Sequence, residues 1–349
     1  MEIGKLTNEE LRELVFAHLP QLSDRTIIGA NIGADCAWIN IGDQILVASS
    51  DPITAGGMQS GTLAIHVSCN DIAASGIQPI GILVVLLAPA DATKEDIVFI
   101  VEQASSAAQE LGVDIVGGHT EITEAVNTYV VTSTAFGLIS RKSPFIPGKA
   151  CRGDKLLMTK TAAIEGTWII AMNHTDLISG QIPSEFIDQA RSFIGNISVV
   201  PEGSLLGKLT VSRDAGFQPE ESGYELDAEK FITAVNLMHD STEGGILGAA
   251  YEMAEFSGIG LTVHPDMIPV HPATQSICDA LSIDPLRLIS SGSLLISTPY
   301  PELVIRELSA RQISCNQIGE FTESGFLMIG SDGQSVKLDP PSRDQVYQL

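Results

Sequence analysis

Positive charge is what this sequence has least of: 19 Lys and Arg stand against 43 Asp and Glu, a formal net charge of -24. That balance argues against broad binding to nucleic acid or to acidic membranes, which would repel the chain. It leaves room for one nucleotide, provided metal ions offset the phosphates. Cysteine is also sparse. The 5 thiols (Cys36, Cys69, Cys151, Cys278 and Cys315) are odd in number, widely spaced and never arranged as CxxC. A disulfide framework and a zinc knuckle are therefore disfavoured, and a reducing, cytoplasmic setting is expected. Long hydrophobic runs are missing too. The apolar stretch 80–89 is too short to span a bilayer and reads as a buried strand. The amino terminus lacks the charged-then-apolar order of a secretion signal.

Common catalytic signatures are absent as well. The three Gly-Lys pairs (Gly4-Lys5, Gly148-Lys149 and Gly207-Lys208) lack the rest of a phosphate-binding loop. No GxGxxG follows a strand, and neither GxSxG nor HExxH occurs. The usual P-loop, dinucleotide, serine-hydrolase and metalloprotease readings fail on these grounds.

What is present describes a globular protein of 349 residues with 44% hydrophobic content, long enough for two domains. Thr7-Asn8-Glu9-Glu10 fits a capping box before leucines at helical spacing, stopped by Pro20. Apolar runs either side of Gly42-Asp43 predict a hairpin. Helices are expected over 61–75 and 93–111, closed by Gly76 and Gly112, with strands at 80–88, 113–116 and 128–139. The Pro- and Gly-punctuated stretch 141–148 marks the domain boundary, giving domains 1–145 and 146–349. Beyond it, strands are expected at 155–160, near 261, at 294–297 and at 317–321. Helices fit 243–257, 273–281 and 301–310. Residues 173–228 are polar and weakly patterned. Strands and helices in both halves give an α/β (α+β) fold of two domains.

Several carboxylates sit beside Gly, Ser, Asn or Ala rather than beside Lys or Arg, and a hard divalent cation is the simplest counter-charge for such a set. Asp35 and Asp51 lie where loops meet strands, positions that suit either a turn cap or a ligand. Asp71 lies on a helix of apolar and small residues. A buried carboxylate there needs a metal or an Arg from elsewhere. Gly117-Gly118-His119-Thr120-Glu121 ends a strand, where glycines allow close approach to a phosphate and His119 and Glu121 face the same way. His239-Asp240-Ser241-Thr242-Glu243-Gly244-Gly245 opens a helix. It can act as an ordinary cap, or it can offer N–H groups to a phosphate while Asp240 and Glu243 hold the accompanying metal. Lys160 and Glu165 are further, weaker candidates for contacts from the second half. Cys69, on the apolar helix, reads as core.

Together and in this order, Ile32-Gly33-Ala34-Asp35-Cys36-Ala37, Ser49-Ser50-Asp51, Asn70-Asp71-Ile72-Ala73-Ala74-Ser75-Gly76, Gly117-Gly118-His119-Thr120-Glu121 and His239–Gly245 resemble the aminoimidazole ribonucleotide (AIR) synthase superfamily. That group includes thiamine-monophosphate kinase, selenophosphate synthetase and the hydrogenase maturation factor HypE, and Leu288–Ile296 is similar to HypE. The resemblance implies an amino-terminal domain whose mixed sheet forms a barrel with a second subunit, and a carboxy-terminal α+β domain. It implies Mg-ATP in the cleft between them. Asp35, Asp51, Asp71, Glu121, Asp240 and Glu243 would be magnesium ligands. Asn70, Gly117, Gly118, Thr120, Thr242, Gly244 and Gly245 would bind the nucleotide, with His119 and Asp240 as catalytic residues. His119 replaces the Asp usual in the kinase and in HypE. HypE ends in a thiocarboxamide-bearing cysteine, whereas the last residues here are Gln345-Val346-Tyr347-Gln348-Leu349.

The expectation is an ATP-dependent, magnesium-requiring homodimer that activates an oxygen of a small molecule by phosphoryl transfer. The alternatives are an ATP-binding maturation or regulatory partner without turnover, and a scaffold whose acidic residues are solvated caps.

Overall fold

The computed structural model describes residues 4–54, 56–144, 148–212, 219–220 and 231–349. Thr7 and Glu10 form the expected capping box and open α1 (Asn8–Glu10), which runs on through a wide turn, Leu11–Val15, and a tight one, Phe16–His18. Six strands follow in the first half: β1 (Thr26–Ile28), β2 (Ala37–Asn40), β3 (Gln44–Ile53), β4 (Gly81–Ala88), β5 (Asp114–Ile122) and β6 (Val130–Ser140). Gly42, at φ +97°, turns the β2–β3 hairpin where the sequence places it. The sheet order is β1-β2-β3-β6-β4-β5, with β4 and β5 parallel and the other pairs antiparallel. Helices α2 (Ser60–Ala74) and α3 (Lys94–Leu111) contribute Ile65, Cys69, Ile72, Ala104 and Ala108 to the core beside this sheet.

In the second half, β7 (Lys155–Thr159) leads into α4 (Ile164–Asn173), α5 (Thr175–Ile178), α6 (Ser184–Arg191) and α7 (Val200–Leu206). A small sheet of β8 (Thr210–Ser212), β9 (Pro219–Glu220) and β10 (Phe231–Thr233) comes next. Then β11 (Leu237–Asp240) precedes α8 (Gly245–Ser257), β12 (Gly260–Val263), α9 (Pro272–Leu281), β13 (Leu294–Thr298) and α10 (Pro301–Ser309). Strands β14 (Cys315–Thr322), β15 (Phe326–Ile329) and β16 (Ser335–Lys337) complete a sheet ordered β11-β13-β7-β14-β12-β15-β16. The stretch 173–228, patternless in sequence, holds short helices: α6 buries only Ile187 and Ala190, and the buried residues of α7 include the polar Glu202 and Ser204. Part of that stretch and part of the 141–148 punctuation lie outside the described residues.

The two halves share one core. Ile53, Leu63 and Val67 from the first pack in the same cluster as Ile164, Trp168 and Ile169 from the second. Helix α2 is the pivot: α7 lies so close that a Cβ on Gly203 would meet the Ala73 carbonyl oxygen at 2.1 Å. Packing on several sides explains why α2 is apolar all round rather than striped.

Candidate functional site

Asp71 sits one turn before the end of α2, and its carboxylate accepts a hydrogen bond from the Ser49 hydroxyl of β3. Strand alternation puts Asp51 on the same face as Ser49, and the Ser49 hydroxyl lies 3.4 Å from its carboxylate. Asp35 arrives from the loop before β2. That loop is pinned at Gly33, φ +73°, where a Cβ would meet the Glu252 carbonyl oxygen of α8 at 2.8 Å. From the second half, β11 ends in His239 and Asp240. These residues, with Lys5, Asn31, Thr242 and Glu252, line one cavity of about 220 Å³. Asp35, Asp51, Asp71 and Asp240 are thus brought together from four separate elements.

Electrostatics in this cavity are severe. Burial first, then the charges of Asp51 and Asp240, push the Asp71 carboxyl well above the carboxylate range. Burial and then Asp35 push Asp240 up to about 7. Both carboxylate oxygens of Asp240 are buried, and the one side chain that bonds to it is another carboxyl, Asp71, an expensive setting for a charged group. Two cations arrive that the local sequence does not announce. His239 Nδ1 lies 2.8 Å from Asp35 and its Nε2 lies 3.4 Å from Glu252. Burial opposes its charge, but Asp35 and Glu252 outweigh that and raise the imidazolium well above its ordinary value. Lys5 lines the same cavity. Desolvation works against its charge, yet Glu252, Glu243, Asp35 and Asp51 together raise its pKa.

The donor set suits a hard divalent cation. Asp35, His239 and Asp240 present atoms within 4.8 Å of one another, and His239 Nδ1 is already committed to Asp35. The buried charge of Asp240 is what a bound cation would relieve.

A second cavity, about 460 Å³, adjoins the first and shares Lys5, Asp51 and Thr242 with it. Its walls include Glu165 of α4, Glu243, Ser291, Val346 and Tyr347. Glu243 lies here rather than in the acidic cavity. Its oxygens accept from the Tyr347 hydroxyl at 2.7 Å and the Lys5 backbone N–H at 3.3 Å.

Other expected positions fall elsewhere. Asn70 does not face the acidic cavity. It is fully buried, donating to the Ile197 carbonyl at 2.9 Å and accepting from the Val199 N–H at 2.8 Å, so its amide is spent on joining the halves. Gly244 and Gly245 do not offer free N–H groups: Gly244 donates to Asp344 at 3.0 Å and Gly245 to the Thr242 carbonyl at 3.1 Å. A carboxylate from the far end of the chain occupies the helix start where a phosphate was expected. Gly117, Gly118, His119 and Thr120 line a different cavity along β5, and the exposed His119 ring pairs with Glu121 at 3.0 Å. Gly118 has a structural reason to lack a side chain, since a Cβ would meet the Val84 carbonyl oxygen at 1.7 Å. Lys160 is a structural cation that donates to the carbonyls of Asn196, Ser198 and Gly292 and pairs with Glu202 at 2.7 Å.

Sequence reasoning passed over Lys5, Glu252, Asp344 and Tyr347. Only Lys5 left a trace, in a Gly-Lys pair set aside for want of its loop. The others carry no motif: Glu252 lies inside a helix, and Asp344 and Tyr347 lie in a short polar segment near residue 349.

Comparison with known proteins follows this geometry. Residues 33–139 match the AIR synthase related protein, N-terminal domain, and residues 152–329 match the corresponding C-terminal domain. A putative hydrogenase expression/formation protein of Methanocaldococcus jannaschii is 26% identical over 299 residues, 84% of this chain and 80% of that protein. The carbamoyl dehydratase HypE of Cupriavidus necator is 26% identical over 70% of this chain, and the match spans 61% of its own length. Among solved structures, a HypE–HypF complex superposes with a TM-score of 0.72 at 20% identity, covering 95% of this chain and 99% of that one. HypE in complex with ATP gives 0.68 at 20% identity, over 97% and 96% of the two chains. These likenesses establish the fold, and the paired domain matches extend over most of the chain. The chain belongs to the AIR synthase related protein family.

Proposed function

We propose that this protein is a HypE-like, ATP-dependent, magnesium-requiring enzyme that activates an oxygen of a small molecule by phosphoryl transfer. The observation that carries this reading is the meeting of Asp35, Asp51 and Asp71 with Asp240 across the two halves, with both oxygens of Asp240 buried among like charges. Such a site supplies positioning and charge neutralisation rather than a nucleophile, which is what phosphoryl transfer needs. Asp35, Asp51, Asp71 and Asp240 would hold magnesium, which when bound neutralises phosphate charge. Thr242, at the junction of the two cavities, faces both. His239, clamped between Asp35 and Glu252, keeps its ring fixed and orients the Asp35 carboxylate. Relatives bearing the names carbamoyl dehydratase and HypE in complex with ATP support the same reading.

Residues 1–145 would form the nucleotide-binding and dimerisation domain and 146–349 the second domain. Strand β5 supports a homodimer: it is an edge strand exposed along its whole length, with Ile115, Val116 and Ile122 facing outward. Unprotected apolar edges of this kind recruit a further strand or sheet. A second copy seated there would place His119, Thr120 and Glu121 at the subunit junction. No helix among the described residues is long and apolar enough to cross a membrane, in keeping with a cytoplasmic site of action.

Calorimetric titration with ATP, with and without magnesium, tests the reading directly. Saturable binding that needs magnesium is expected, and no binding at millimolar nucleotide would end it. Phosphate release on incubation with ATP and candidate acceptors separates an enzyme from a nucleotide-binding maturation partner, which would bind without turnover.

A further inference from the structure

The larger cavity carries a feature that nucleotide binding does not use. Glu165, in the first turn of α4, is 4% exposed and lines this cavity; the Ser291 hydroxyl reaches its carboxyl group, and one carboxylate oxygen is left with no hydrogen-bond partner. The backbone around it is fixed. The Gly166 N–H donates to the Ile289 carbonyl at 2.9 Å and the Ala163 N–H to the Ser290 hydroxyl at 2.8 Å. Two non-glycine residues just before it, Lys160 and Ala163, hold left-handed backbone at φ +55° and +56°, a strain that persists only where the surroundings enforce it. Gly166 is equally constrained, since a Cβ there would lie 2.4 Å from the Leu288 side chain. The backbone that carries the carboxyl is therefore held in one conformation at the cavity wall.

The largest charge effects on Glu165 are all acidic. Asp344, Glu243 and Asp240 act on it, while the cation of the cavity, Lys5, is engaged by Glu252, Glu243, Asp35 and Asp51. An entering carboxylate or phosphate ester would meet repulsion at that wall. An N–H or O–H group would supply the missing hydrogen bond. The remaining wall is largely aliphatic, with Ile53, Leu63, Val67, Ile169 and Ile289. At about 460 Å³ the space suits a metabolite-sized molecule.

We infer that this cavity is a subsite for a small, neutral or cationic molecule with an apolar body and an N–H or O–H donor, and that Glu165 selects it by accepting that donor. Its role as the phosphoryl acceptor rests on the function proposed above; its selectivity does not. The test uses the full chain and three matched probes: isoamylamine, isoamyl alcohol and isovalerate. Each is titrated with and without magnesium and a non-hydrolysable ATP analogue. The amine and the alcohol are expected to bind, with the carboxylate weaker by at least about tenfold. Glu165→Gln should weaken the amine by about ten- to a hundredfold, as loss of a buried charged hydrogen bond does, and leave affinity for the analogue unchanged. Equal binding of isovalerate and isoamylamine, an unaltered amine affinity in Glu165→Gln, or no saturable binding of any probe would each overturn the inference. If Glu165→Gln does not fold, the order of the three probes on the unaltered protein decides. Selective probe binding without binding of the analogue would uphold the subsite while removing the phosphoryl-transfer reading.

Discussion

Asp240 is the residue on which structural and functional roles make opposite predictions. A carboxylate buried beside Asp35, Asp51 and Asp71 destabilises the metal-free fold. Asp240→Asn should therefore raise stability in EDTA by about 1–3 kcal/mol in urea denaturation, the desolvation cost of such a group. The same change should lower Mg-ATP affinity by at least about tenfold in calorimetry. A residue of purely structural importance would show neither gain nor selective loss. Asn70 makes the contrasting case. It was expected to touch nucleotide, yet its amide makes two buried bonds to the 197–199 backbone. Asn70→Ala should cost about 2–4 kcal/mol, two lost bonds plus stranded backbone groups, with nucleotide affinity per folded molecule little changed.

At the level of elements, β5 is the most informative. Its parallel pairing with β4 slips by one residue, so that Val116 has no partner between Ile115 and Gly117. Gly118 then lies against the Val84 backbone. Gly118→Ala should loosen this edge: faster amide exchange across 114–122 is expected by mass spectrometry, with loss of dimer in sedimentation if the strand is the subunit contact. The first and last segments form a second such unit. Arg343 pairs with Glu10 at 3.2 Å, Tyr347 bonds Glu243, and Asp344 caps α8. Both ends of the chain thereby reach the larger cavity, through Gly4 and Lys5 on one side and Val346 and Tyr347 on the other.

The whole molecule carries an unusual pH dependence when metal-free. Burial pushes Glu165 and Asp240 up to about 7 and Asp344 up to about 6. Acids with raised folded pKa values bind more protons folded than unfolded, so their contribution is full at low pH and is lost as pH rises through the folded values. His239, raised well above its usual value, acts in the same direction, whereas buried His66, lowered to about 4, opposes it below its unfolded value of 6.5. In EDTA the melting temperature should fall by several degrees between about pH 6.5 and pH 8, where His66 is neutral folded and unfolded. Added magnesium should restore more stability at pH 8 than at pH 5, because only the ionised carboxylates attract it. A melting temperature that rises in EDTA between about pH 6.5 and pH 8 would contradict the buried-acid picture.

Local rules made much of this protein readable from its residues. The capping box at Thr7, the glycine stops at Gly76 and Gly112, and the hairpin at Gly42 depend only on neighbours in the chain. The apolar surround of Asp71 likewise foretold a buried, needy carboxylate. Tertiary structure alone decided which charges meet. Lys5 and His239 come from elements far apart in sequence, so no local pattern announces that cations reach the acidic cavity. For the same reason Asp344 at the start of α8 and Asn70 bonded across the halves are invisible until the chain is folded, and Glu165, a weak candidate in sequence, gains its cavity only there. Helix and strand propensities act over a few residues, whereas Coulomb and desolvation energies depend on distances that only folding sets.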